Sequence, residues 1–349
     1  MLYEPIYNPK KSYQENFDNG PFGAFADTSF YTNQGLPGFS FLGQKVYSPF
    51  GVAAGPLVNG RFVTAALKKG FDICTYKTVR SAQYPCNPMP NVVAVSTPKL
   101  TLEQSEQGVM LEEGFKQPLT ITNSFGVPSW SPDFWQEDLS RAVVSAGEGQ
   151  VVIGSFQGTP KGSSLEYIKD FATCAKLVKE TGAKILEVNL SCPNEGTAHL
   201  LCFDIDRVRQ VVEAIKNEIG NTPLIIKLAY FKDQFLLENF IDYVGNKVDG
   251  IEAINSMMSR IIDANDNPGF PDGRKFSGIC GSGVRWAGLE MTDRLKKLRQ
   301  KKDLKFAIIG VGGVGQKTDV DSYIAAGADA VMAATGMMWN PYLAQEIKR

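Results

Sequence analysis

Residues 305–336 read KFAIIGVGGVGQKTDVDSYIAAGADAVMAATG. Two short apolar runs, FAIIGV and AVMAAT, flank DVDSYIAAGA, whose spacing suits a helix. Runs this short, without polar alternation, suit strands buried on both faces, and a helix between them makes a parallel βαβ unit. The first run ends in the glycine turn Gly310 to Gly313.

Working outward, the same alternation extends back to residue 46. Six more runs precede these two: VYSPFGVAAG, FDICTYKTV, QVVIGSFQG, AKILEVNLS, PLIIKLA and GIEAINS. Amphipathic segments separate them. SLEYIKDFATCAKLVKETG ends on Gly182, a C-terminal helix glycine, and DIDRVRQVVEAIKNEIG opens on Asp204 as N-cap and closes on Gly220. Eight strands alternating with helices predict an α/β fold, a (β/α)8 TIM barrel. The alternative, an open doubly wound sheet, usually carries G-x-G-x-x-G after its first strand; GVAAGPLVNG lacks that spacing. Three segments fall outside the alternation. Residues 1–45, rich in Gly, Pro, Asn and aromatics, read as an N-terminal arm packed on a barrel of residues 46–349. Residues 80–149 read as an insertion with one strand, PLTITNSFGVPSW, and one helix, SPDFWQEDLSRAVVSAG. Residues 257–285 read as a glycine-rich loop.

Composition narrows the function classes. The 349 residues are 43% hydrophobic and 21% charged, with net charge −1. That balance gives no field for nucleic acid or an anionic membrane. No apolar run approaches the ~18 residues of a membrane span, and the first residues lack the apolar core of a signal peptide. A cytoplasmic protein is expected. The six cysteines form no C-x-x-C pair, so no metal site is expected, and Cys74, Cys174 and Cys202 read as buried, inert thiols. The single histidine is His199, so acid–base chemistry falls to Cys, Lys, Asp or Glu.

Barrel active sites lie at the C-terminal ends of the strands. Those ends carry Ala54-Gly55, Lys77-Thr78, Asn189 to Cys192, Lys227, Asn255-Ser256, the Gly310–Gly313 turn and Ala334-Thr335-Gly336; the insertion adds Asn123-Ser124. Lysines and asparagines in apolar strands are costly to bury without partners. One alone reads as a satisfied structural group; the set at one barrel end reads as a polar ligand site. Glycine turns after strands seven and eight suit a phosphate. A phosphate with lysines and amides beside it suggests flavin mononucleotide (FMN), with Lys227 and Lys77 offsetting charge on the ring. Asn123, Asn189, Asn194 and Asn255 suit a small heterocycle, because amides both donate and accept. Cys192, before the Pro193 break, is placed to act as a base if cationic groups lower its thiol pKa.

NLSCPN (189–194) resembles the active-site loop of the dihydroorotate dehydrogenases in their class 1, cysteine form; class 2 enzymes usually carry serine there. AAG, YKT, NPMP, TNSFGVP, IKL, INS, SGICG, IIGVGG and AATG follow in the family's order. The resemblance implies FMN-dependent oxidation of (S)-dihydroorotate to orotate in pyrimidine synthesis, with Cys192 as base. It implies that Asn123, Asn189, Asn194, Asn255 and Ser256 hold the substrate, with Lys77 and the Gly126 backbone. Lys77, Asn189 and Lys227 would touch the flavin ring, with Ala54, Gly55, Thr78 and Ser256 nearby. Gly281, Ser282, Gly312, Gly313, Ala334 and Thr335 would surround its phosphate. A homodimer is also carried by the resemblance. The chain departs from the pattern at Ala54 (commonly serine), at Cys280 and Ser282 (commonly glycine) and at Ala334 (commonly glycine). Two other readings compete. One is a flavin-dependent dihydropyrimidine dehydrogenase-like subunit acting on uracil or thymine. The other is a barrel that binds phosphate without redox activity.

Overall fold

In the computed structural model, residues 2–160, 162–191 and 200–349 are described. Cys192, Asn194 and His199 lie outside them. Eight parallel strands close a barrel: β1 (Phe50–Val52), β2 (Ile73–Val79), β3 (Val151–Phe156), β4 (Ile185–Asn189), β5 (Leu224–Leu228), β6 (Gly250–Ala253), β7 (Ala307–Val311) and β8 (Ala330–Ala333). They pair in chain order, and β8 closes onto β1. The (β/α)8 expectation therefore holds.

The helices between them are α1 (Gly60–Lys68), α2 (Pro132–Val144), α3 (Ser164–Glu180), α4 (Ile205–Ile219), α5 (Gln234–Val244), α6 (Arg285–Lys301), α7 (Lys317–Ala326) and α8 (Thr335–Trp339). Local sequence sets their ends. Asp204 accepts from the Arg207 N–H at 3.1 Å at the start of α4. Gly182 and Gly220 have φ of 87° and 61°, values that suit glycine where a helix must stop.

One apolar core lies between strands and helices. A second fills the barrel with Ile73, Ile153, Ile185, Ile225, Ile309 and Met332. Phe41 and Val46 join it from an N-terminal hairpin, Phe39–Phe41 with Gln44–Val46. The hairpin closes the end where strands start, leaving the opposite end for a site.

The insertion departs from the sequence reading in two ways. Helix α2 belongs to the barrel: it packs against α1, α3 and β3, so the insertion ends before it. The insertion also holds three strands, Val92–Val95, Val109–Glu112 and Thr120–Asn123. They join Met257–Ile262 and Phe276–Gly281, in the segment read as a loop, in a second closed barrel of five strands. Gly278 pairs with Asn123 and Ile279 with Thr122. Partners so far apart in sequence leave no local signal, and glycines hide the strand pattern.

The arm is packed rather than separate. Its helix, Tyr13–Asn19, starts with a Ser12/Glu15 capping box. Ile6, Tyr7, Phe17 and Phe25 are buried. The Ile6 N–H donates to the Met338 carbonyl at 2.8 Å, which ties the arm to α8.

Candidate active site

A cavity of about 1120 Å³, open mouth included, lies at the C-terminal end of the barrel under the five-stranded insertion. One part of its wall is polar: Lys77, Thr78, Asn123, Asn189, Lys227, Asn255 and Ser256. Another is glycine and small residues: Ala54, Gly55, Gly281, Gly312, Gly313, Ala334 and Thr335. The structure thus brings these fourteen sequence-predicted positions to one cavity. Gly126 and Ser282 do not line it. The Gly126 carbonyl accepts from Arg80 at 3.4 Å, and the Ser282 hydroxyl and N–H both donate to the Leu119 carbonyl, at 3.1 and 2.7 Å. Cys192 and Asn194 lie outside the described residues.

The amides are held in fixed orientation. Asn189 is buried and donates through Nδ2 to Gln157 Oε1 at 2.9 Å. Its Oδ1 accepts from the Ser191 N–H at 3.1 Å and from Asn255 Nδ2 at 3.3 Å. Asn255 also donates to the Ser191 carbonyl, while its own Oδ1 accepts from the Ser256 N–H at 2.9 Å. Asn123 Nδ2 points to Cys280 Sγ at 3.3 Å. Such second contacts pre-organise a binding wall, because no rotamer search remains for the ligand to suppress.

Lys227 is buried with Nζ 2.6 Å from Glu252 Oε1. Burial acts to lower its pKa, but the charges of Glu252 and Glu187 outweigh it and hold the ammonium form. Cys74 and Cys202 are fully buried and burial pushes both thiols up, Cys202 to about 12. Cys174 shifts the same way, so none of the three is a reactive thiolate.

The glycines form a bare-backbone cradle. Gly281 has φ 95°, and a Cβ there would stand 2.2 Å from the Leu119 carbonyl oxygen. Gly313 has φ 67°, and its Cβ would stand 2.7 Å from Arg285 Cβ. Gly55 has open space where a Cβ would be. Bare backbone beside a helix start suits a phosphate, and the amide and lysine wall suits a flavin ring, so these residues fit FMN.

The sequence reading misses several wall residues. Tyr7 reaches the cavity from the arm, and Phe125, Val127 and Met338 form apolar wall. Gln157 holds Asn189 from the end of β3; its signal is the strand-end position itself, where the reading names no residue.

Comparison with known proteins follows this geometry. The family model described as dihydroorotate dehydrogenase matches residues 38–349. The dihydroorotate dehydrogenase of Dictyostelium discoideum is 34% identical, covering 99% of this chain and 97% of that protein. The dihydroorotate dehydrogenase (quinone) of Bordetella avium (strain 197N) is 26% identical, covering 86% of this chain and 80% of that one. A crystal structure of the Eimeria tenella enzyme in complex with ferulenol matches with TM-score 0.68 at 20% identity, over 88% of this chain and 81% of that one, a likeness of fold. The name of the 34% relative specifies no acceptor and that of the 26% relative specifies quinone, so the names do not support the class 1 expectation. With a match across the whole barrel and a relative of nearly the same length, this chain belongs to the dihydroorotate dehydrogenase family and is an oxidoreductase.

Proposed function

We propose that the protein oxidises (S)-dihydroorotate to orotate in pyrimidine synthesis, with FMN as cofactor and Cys192 as base. The observation that carries this reading is the single cavity in which two lysines and three locked asparagines face the glycine cradle. FMN, when bound, supplies the acceptor for the hydride leaving C6 of the substrate. Lys77, Asn189 and Lys227 would hold its ring, and Gly281, Gly312, Gly313, Ala334 and Thr335 its phosphate end.

The remaining work belongs to the chain. Among the described residues, the bonds of Asn189 leave one N–H free for a ring carbonyl. Asn123 and Asn255 offer further amide contacts, and Lys77 supplies a positive charge for the substrate carboxylate. Cys192 takes the C5 proton onto its sulfur. Tyr7, Phe125 and Met338 keep water from part of the cavity.

Orotate formation by the FMN-loaded protein tests this. Cys192→Ala is expected to lower the rate by about 10²–10⁴-fold near neutral pH while FMN stays bound. An unimpaired variant would remove the cysteine from the reaction. Dihydrouracil, which lacks the carboxylate, should be a poor substrate beside dihydroorotate; the reverse order would move the activity to another dihydropyrimidine. Parallel assays with fumarate, NAD and a soluble quinone identify the acceptor.

A further inference from the structure

One layer below Asn189, the barrel interior carries charge that the proposed chemistry leaves unused. Glu187 on β4 and Glu252 on β6 are both fully buried, and Lys227 lies on the strand between them. Lys227 Nζ stands 2.6 Å from Glu252 Oε1. Ser155 on β3 donates to Glu187 Oε1 at 2.8 Å, and its hydroxyl lies 3.0 Å from that of Thr78, which lines the cavity. Glu187 Oε2 and both oxygens of Glu252 have no hydrogen-bond partner among the described residues, and the two carboxyls flank Lys227 from the neighbouring strands.

Two carboxylates facing one ammonium would leave a net negative charge in a barrel packed with isoleucine and methionine. Such a charge is costly, and two buried carboxylates that share one ammonium do not both ionise. A shared proton removes the charge and supplies the missing donor. Among the described residues, no other titratable group on the barrel strands is placed to do so. β1, β3, β7 and β8 carry no titratable side chain. On β2, Tyr76 bonds outward to Asp138, Cys74 is influenced by Asp72 and Lys348, and Lys77 lines the cavity above. Burial first, then the charge of Glu252, raises the Glu187 carboxyl to about 8.

We propose that Glu187 and Glu252 hold one proton between them and form, with Lys227, a neutral triad beneath the cavity. Glu187 is thereby a positioning residue that sets how much positive charge Lys227 presents to the flavin. The shared proton stands on the burial of both carboxyls, their orphaned oxygens and the one ammonium between them; the effect on the flavin rests on the FMN reading above. Loss of the proton adds one negative charge beside Lys227, which disfavours extra electrons in the cavity and lowers the cofactor's reduction potential. Glu187→Gln fixes the neutral state, because an amide donates to Glu252 and has no proton to lose.

Infrared titration of the full-length protein, in H2O and D2O, tests the proton directly. The expected result is the carbonyl stretch of a protonated carboxyl persisting above the ordinary carboxylate range and fading near the raised value of about 8. E187Q should abolish it. In E252Q it should fade at lower pH, because the repelling charge is gone. No protonated carboxyl above about pH 6, a signal unchanged in E187Q, or one unmoved in E252Q would overturn the shared proton. The second readout is the potential of bound FMN against pH. The parent should show an extra fall near the same pH that E187Q lacks; parallel curves would overturn the positioning role. A protein that shows the infrared signal but takes up no FMN would sustain the shared proton and defeat the cofactor reading.

Discussion

Asn189 illustrates what one residue contributes. It ends β4, faces the cavity and is locked by Gln157, Ser191 and Asn255. Its place in the cavity wall was legible only from the set of polar residues at the strand ends, since one such residue alone reads as a satisfied structural group. Glu187, two residues earlier on the same face, was not. Only closure of the barrel shows that this face looks onto Lys227 and Glu252 rather than onto a helix. Two predictions belong at this scale. Lys227→Met leaves Glu252 buried without its counter-charge, and should cost about 3–5 kcal/mol in urea unfolding. The second concerns pH. The Glu187 carboxyl is raised from 4.5 to about 8, so between those values the folded state holds more protons than the unfolded. Its contribution to stability therefore falls as pH rises through that window. The stability of Glu187→Gln relative to the parent should rise with pH from about 5 to about 8 in denaturant titrations; a pH-independent difference would contradict the raised carboxyl.

The regular βα units were legible as elements because each strand is a short apolar run closed by a cap or a glycine. The five-stranded insertion was not, since the two pairings that close it, Ile261 with Val109 and Gly278 with Asn123, join residues more than a hundred positions apart. Packing between elements also fixes the glycine cradle. Tyr323 of α7 donates to the Gly312 carbonyl at 2.8 Å, which steadies the turn after β7. Gly288 in α6 makes room for that ring: a Cβ there would stand 2.0 Å from the Tyr323 hydroxyl and 2.5 Å from the Val311 carbonyl oxygen. Gly288→Ala should therefore displace Tyr323, cost about 1–3 kcal/mol of stability and weaken FMN retention during dialysis. Unchanged stability and unchanged FMN content would show that the α6–α7 packing does not support the cradle.

Across the whole molecule, the family match begins at residue 38, yet the cavity wall includes Tyr7. The arm was legible as a packed segment from its aromatics and prolines. Its reach to the cavity was not, because it depends on where the Met338 carbonyl receives the Ile6 N–H. Removing residues 1–22 would strip Ile6, Tyr7, Tyr13 and Phe17 from the core. Each fully buried side chain of this kind contributes about 1.5–3 kcal/mol. The truncated protein should unfold several kcal/mol earlier in urea, and its flavin fluorescence should become more accessible to a soluble quencher. The central claim, however, is the reaction in the cavity that this arm helps to wall. Its most direct test is an anaerobic visible spectrum of the FMN-loaded protein before and after addition of dihydroorotate. The account predicts that the flavin band bleaches with the parent and far more slowly with Cys192→Ala; a flavin band that dihydroorotate leaves unchanged in the parent would contradict it.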